Sequence, residues 1–127
     1  SNSQTSGSGG SQVRFDISNT GGTAVEIDGV SFDSTSSSAD RVSAPGNNDE
    51  LSFDNGGSVD STLQVGDPET TLDTTETIAG SQSSSGTFNR FRSGSGGGNQ
   101  VNMGGESVTI SLYFTDGSAR TYTLNIN

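Results

Sequence analysis

Residues 107–126, SVTISLYFTDGSARTYTLNI, decide the fold. Val108, Ile110, Leu112 and Phe114 alternate with Thr109, Ser111, Tyr113 and Thr115. After Asp116-Gly117 the alternation resumes, with Tyr122, Leu124 and Ile126 set against Thr121, Thr123 and Asn125. A period of two is that of a half-buried strand, because successive side chains point to opposite faces. Asp-Gly between two such runs supplies the positive φ that a tight hairpin turn requires. The stretch predicts an antiparallel hairpin whose apolar face, from Val108 to Ile126, supplies much of the core. Its other face, with Thr109, Ser111, Tyr113, Thr121 and Thr123, carries no charge. In so acidic a chain that face is the first place to expect a partner surface, with Tyr113 exposed.

Working outward, residues 12–18 alternate in the same way, with Val13, Phe15 and Ile17 on one side. The NTGGT turn at 19–23 leads to Val25, Ile27, Val30 and Phe32, whose apolar parity flips across Gly29, as at a β-bulge. These two runs read as a hairpin with a kinked second arm. Residues 33–49 read as a long polar loop. Leu51 and Phe53 mark a short strand before the DNGG turn at 54–57, and Val59, Leu63 and Val65 another. A threonine-rich strand joins Leu72 to Ile78, residues 80–85 read as loop, and 87–92 as a strand anchored by Phe88 or Phe91. Residues 92–100, RSGSGGGNQ, form a glycine-rich excursion. No apolar pattern has the period of a helix. About seven short strands with polar turns predict an all-β, antiparallel two-sheet β-sandwich, immunoglobulin-like, over residues 12–127. Residues 1–11, SNSQTSGSGGS, read as a flexible linker, and a linker there leads us to expect a preceding anchor or signal segment.

Composition narrows the chemistry. The 127 residues suit one domain. Only 25% are hydrophobic, and 58 are Ser, Thr or Gly, so the core must be thin. Five Arg (Arg14, Arg41, Arg90, Arg92, Arg120) and no Lys stand against fifteen acids, a net charge of −10. In molar salt the Debye length is about 3 Å, so acidic self-repulsion is screened while hydrated carboxylates keep the surface soluble. Complete loss of Lys fits that regime, and the chain reads as salt-adapted.

There is no His, Cys or Lys, which excludes Cys/His zinc sites, Ser-His-Asp triads and Ser-Lys dyads. Paired carboxylates for glycoside hydrolysis would need an aromatic cleft, which a chain with no Trp and two Tyr can hardly build. The expectation is a protein that is not an enzyme and holds no cofactor. The GSGGGNQ segment at 94–100 lacks the Lys-Ser/Thr ending of a phosphate loop. Asn89-Arg90-Phe91-Arg92 reads as two exposed cations paired with the acidic surface, and so acidic a field excludes nucleic acid as partner. Asp54, Asp60 and Asp67 are loop carboxylates that could serve calcium, but the EF-hand spacing is not met and no specific metal is expected. No N-x-Ser/Thr sequon occurs, leaving residues 34–38 and 81–85 as the hydroxyl-rich stretches open to O-glycosylation.

The run FDISNTGGTAVEIDGVSF (residues 15–32) resembles the opening of archaeal surface β-sandwich domains, and residues 107–126 resemble the terminal hairpin of haloarchaeal pilin-like and secreted proteins. A soluble, stator-type accessory component of the archaeal swimming filament, the archaellum, is similar. In those families an N-terminal apolar helix anchors in the membrane or packs in a filament core, and the β-domain faces outward. The resemblance implies an extracellular, cell-surface domain that meets the membrane only through a missing anchor. Three expectations follow. The chain could be the outward domain of a filament subunit or accessory, self-associating by strand addition with residues 13–17 as the exchanged element. It could be an adhesin-like module that binds surface glycan or a surface-layer protein through Tyr113, Tyr122, Phe88 or Phe91. It could be a surface domain of a halophilic virus.

Overall fold

Alternation of apolar and hydroxyl residues becomes pairing. The computed structural model describes residues 2–6, 10–44, 48–96 and 98–127. Along them run β1 (Asn2–Ser6), β2 (Gln12–Ser18), β3 (Val25–Thr35), β4 (Arg41–Val42), β5 (Leu51–Phe53), β6 (Ser58–Val59) and β7 (Leu63–Gln64). They are followed by β8 (Thr70–Ile78), β9 (Ser83–Asn89), β10 (Phe91–Ser93), β11 (Asn99–Gln100), β12 (Ser107–Phe114) and β13 (Ala119–Ile126). The fold is all-β and sandwich-like, with antiparallel sheets packed together. The strand count exceeds the expected seven, because several strands are only two or three residues long and leave no readable period.

The main sheet closes on itself in the order β1-β13-β12-β3-β8-β6-β5-β9-β2. A second sheet, β11-β10-β4-β7, covers one end. The terminal hairpin forms as read, with Ser107 opposite Asn125 and Tyr113 opposite Ala119. The parity flip at Gly29 is a register shift between Ile27 and Gly29 against β8. The DNGG turn also forms, Phe53 N–H reaching Gly57 O at 2.8 Å.

Four expectations are corrected. First, β2 and β3 do not pair as a hairpin. β2 lies between β1 and β9, whereas β3 lies between β12 and β8. The reason is the 19–23 turn, which is tied to the 78–82 turn instead of to a ladder. Asn19 Nδ2 donates to Ile78 O at 3.1 Å and Ser81 N–H to Gly21 O at 2.8 Å, so the chain crosses between walls. Second, residues 2–6 of the stretch read as linker form β1, parallel to β13 and antiparallel to β2. With no apolar residue, NSQTS gives no hydrophobic signal, and its ladders to β2 and β13 place it. Residues 1 and 7–9 of that stretch lie outside the described residues. Third, the 33–49 loop contains β4, and the 80–85 loop is shortened because β9 begins at Ser83. Residues 45–47 lie outside the described residues. Fourth, Val59 and Leu63 fall in different sheets, and the glycine-rich excursion is a small hairpin in which Arg92 opposes Gln100. Gly97 lies outside the described residues.

The core is organised by phenylalanine. Phe53 meets Phe15 edge-on at 6.0 Å, Phe15 stacks on Phe88 at 5.3 Å, Phe88 meets Phe91 at 5.7 Å, and Phe91 meets Phe32 at 5.6 Å. Five of the six Phe thus form one continuous chain linking β5, β2, β9, β10 and β3. Each buried ring contributes about 1.5–3 kcal/mol of transfer free energy, and each well-oriented pair about 0.5–1.5 kcal/mol more. Phe91, Val42 and Leu63 are in register across β10, β4 and β7 and turn this face of the small sheet onto the core.

Gly86 makes the spine fit. A Cβ there would stand 2.6 Å from Phe15 Cζ and 2.9 Å from Phe53 Cε1. Gly86→Ala is therefore expected to cost about 1–3 kcal/mol by overpacking, measured as a lower denaturant midpoint at unchanged slope. A variant as stable as the parent would show that the two rings do not need this gap.

Candidate functional site

The inward residues of the barrel change character toward one end. Along β13, Ile126 and Leu124 are buried, Tyr122 is half-buried and Arg120 is exposed, all on the same strand parity. Phe114 on β12 and Val25 on β3 are likewise half-buried where their strands reach this end. The second sheet covers the opposite end, where β9 runs into β10. The uncovered end is a mouth.

The mouth opens into a cavity of about 450 Å³. Ile17, Val25, Ile78, Phe114 and Tyr122 form its apolar floor, and Arg120, Glu26, Asp116 and the 18–21 loop form its rim. It lies beyond the reach of β1. β1 pairs with β2 only over Gln12–Phe15 and with β13 only at Asn125 and Ile126. Among the described residues, no strand pairs with residues 16–18 of β2 on the side away from β9, or with 119–124 of β13 on the side away from β12.

The electrostatics of the rim are mixed. Asn19 is committed to Thr23 O, Ile78 O and Gly21 N–H, which fixes the loop. Asp116 accepts both the N–H and the hydroxyl of Ser118, which holds its carboxyl below the usual range. Burial raises the Tyr122 phenol above its ordinary value and the nearby Arg120 charge opposes the shift, so the hydroxyl keeps its proton at neutral pH. Arg120 itself forms neither ion pair among the described residues, the two being Arg14–Asp54 at 3.6 Å and Arg41–Asp40 at 2.6 Å.

The sequence-predicted interaction face has a different character from the one expected. Thr109 and Thr123 do meet on it, hydroxyl to hydroxyl at 3.3 Å. Ser111 is buried, bonding Asp33 Oδ2 at 2.5 Å and Thr121 Oγ1 at 2.9 Å. Tyr113 is half-buried with its hydroxyl 3.1 Å from Ser31 Oγ, and Ser31 donates to Asp33 Oδ1 at 2.6 Å. The face is therefore not free of carboxylate. Neighbouring β3 brings Asp33 into its centre, and the hydroxyls are spent on it and on one another.

Other candidates scatter. Asp54 pairs with Arg14, the Asp60 N–H bonds Asp73 Oδ2 at 2.7 Å, and Asp67 is exposed in a loop. Among the described residues no three Asp or Glu side chains gather where they could hold an ion. Phe88 and Phe91 are spent in the core. Arg90 and Arg92 are half-buried, not exposed and ion-paired: Arg92 Nε donates to Ser43 O at 2.8 Å and Arg90 Nε to Asn89 Oδ1 at 3.3 Å. Arg90 also carries a φ of 84°, and the chain breaks there between β9 and β10.

Sequence reasoning missed two buried acids and the mouth. Glu76 is fully buried, accepting the N–H groups of Asn55 and Gly57 and the Ser84 hydroxyl. Glu50 is buried with one carboxyl oxygen bonded by Ala44 N–H and the other without a hydrogen-bond partner among the described residues. The mouth could have been found by carrying the core parity one step past Tyr122, which puts Arg120 on the inner face. No protein-family model matches the chain, and no curated protein matches it.

Burial raises the Glu50 carboxyl above its ordinary value; the Ala44 and Glu50 backbone N–H groups oppose this, and the Asp60 carboxylate adds to it. A group with a raised folded pKa stabilises the fold while protonated and loses that contribution as pH rises through the raised value. Glu50→Gln keeps the acceptor for Ala44 and removes the titration. The variant is expected to have a higher thermal midpoint than the parent at neutral pH, with the gap closing in acid. A gap that is the same at both pH values would contradict this assignment.

Proposed function

We propose that the chain is a non-catalytic interaction domain of a cell-surface protein from a salt-adapted organism, and that it joins copies of itself by exchanging β1. The observation that carries this reading is the seating of β1. The strand bridges β2 and β13, closing the main sheet, with no apolar residue of its own. It pairs by backbone at four positions along β2 and two along β13. An identical strand from a second copy would satisfy the same N–H and C=O groups, and exchange of an identical element is a low-cost route to oligomers.

The expected exchange of residues 13–17 is replaced by this one. β2 is paired on both edges and commits Val13, Phe15 and Ile17 to the core, so its removal would open the phenylalanine spine. The acidic, Lys-free surface supports the salt-adapted reading, since contact between copies at a net charge of −10 each needs the screening of molar salt. An outward-facing filament subunit or filament accessory fits this mode of assembly. Attachment to surface glycan is the second reading, and the barrel mouth favours it.

The chain has no cysteine, so introduced thiols report cleanly. Gln4 opposes Arg14 in the β1–β2 register. Chains carrying Gln4→Cys and Arg14→Cys, half isotopically labelled, are mixed at high concentration in molar KCl and then oxidised. The expected product includes disulfides between position 4 of one isotope and position 14 of the other, with a share that grows with concentration. Only same-isotope 4–14 disulfides at every concentration would refute exchange.

A further inference from the structure

The barrel mouth has the make-up of a small-molecule site: an apolar floor with two aromatic side chains, a few converging polar groups and a volume in the usual range for ligands. We propose that it binds a sugar bearing a carboxylate. This inference stands apart from β1 exchange, because β1 pairs with the far halves of β2 and β13.

The ligand class follows from which groups line the cavity. Phe114 and Tyr122 present ring surface at the floor, suited to the C–H face of a sugar ring. Arg120 offers a planar pair of donors, and a carboxylate is the acceptor whose geometry it matches bidentately. Glu26 and Asp116 stand on the same rim; Oε2 of Glu26 is taken by the Thr75 and Thr77 hydroxyls and Oδ1 of Asp116 by Ser118, and the second oxygen of each is the acceptor for a ligand hydroxyl. The same two carboxylates repel a dianion, so a phosphate monoester fits less well than a singly charged, hydroxyl-rich molecule, and among single charges a planar carboxylate matches the guanidinium fork. A neutral sugar would leave Arg120 without its counter-charge. The Tyr122 phenol, kept protonated, adds a donor at the floor.

The cation is placed there at some expense. With five Arg against fifteen acids, one is set on the inner parity of β13, opposite Leu112, where the rest of that parity is core. Arg14 and Arg41 have carboxylates of their own. Arg120 has none among the described residues, though Asp116 and Glu26 line the same cavity.

The test is titration of the chain with methyl β-D-glucuronide and, separately, methyl β-D-glucoside, followed by NMR of the aromatic side chains and of the Arg120 guanidinium. The expected result is saturable shifts at Tyr122, Phe114 and Arg120, with the glucuronide bound at least tenfold more tightly than the glucoside. Arg120→Ala, at an exposed position that leaves the core intact, is expected to erase that preference while the thermal midpoint stays put. Arg120→Lys, which keeps the charge but not the fork, is expected to restore only part of it. Tyr122→Leu, which preserves apolar bulk, is expected to weaken both sugars. Equal binding of the two glycosides, shifts centred away from the mouth, absence of binding, or a preference that survives Arg120→Ala would each overturn the proposal.

Discussion

The chain of ring contacts from Phe53 through Phe15, Phe88 and Phe91 to Phe32 is the interaction on which the rest depends. With a quarter of its residues hydrophobic, the protein cannot fill a barrel uniformly. It concentrates its largest apolar side chains along one line that touches both the closed sheet and the small sheet covering one end. Smaller residues, such as Val13, Leu51, Val59 and Ile110, fill in around that line. Glu76 is part of the same economy. Burying a carboxyl group is costly unless its oxygens are bonded, and here two backbone N–H groups and a hydroxyl bind it, tying β8 and β9 to the 54–57 turn. Gly57 lets this happen, since a Cβ there would stand 2.5 Å from that of Glu76.

Because the spine occupies the covered end and the middle, the other end is left with half-buried rings and open space. That division explains why the hydroxyl face of the terminal hairpin and the mouth have different prospects. On the face, Ser31, Ser111, Tyr113 and Thr121 satisfy Asp33 and each other, so the surface is internally paired. In the mouth, Arg120 projects from a core-facing position with no ion pair among the described residues, and a ligand can add what the protein has not supplied. The closing strand β1 belongs to neither region. It pairs with residues 12–15 of β2, Phe15 included, and with the last two residues of β13, and it brings no apolar residue of its own.

Much of this architecture was legible in the sequence wherever an apolar residue marked every second position. The terminal hairpin, the bulge at Gly29, the DNGG turn and the strands around Leu51 and Leu72 all announced themselves that way. Two-residue strands such as β4 and β7 carry no period, and β1 carries no apolar residue, so neither could be seen. The partner of β2 is not legible, because a turn signal fixes where the chain bends, not which strand it then joins; Asn19 and Gly21 bond the 78–82 turn. On the functional side, Tyr122 stood among the candidates and does line the cavity. Parity places Tyr113 on the outer face but does not report what a neighbouring strand brings to it. Arg120 went unnoticed because a cation on a core parity looks like the frayed end of a strand, until the loop at 18–21 is seen to wall the space beside it.

The central claim is that the main sheet is closed by a strand that can leave without unfolding the domain. Native-state hydrogen exchange of the backbone amides in molar KCl measures this directly. Amides of β2 and β13 that face β1 are predicted to exchange through a low-energy opening, while amides of β2 that face β9, beside the phenylalanine spine, exchange only at the free energy of global unfolding. Equal protection on the two edges of β2 would mean that β1 is an integral part of the cooperative fold and would contradict the account.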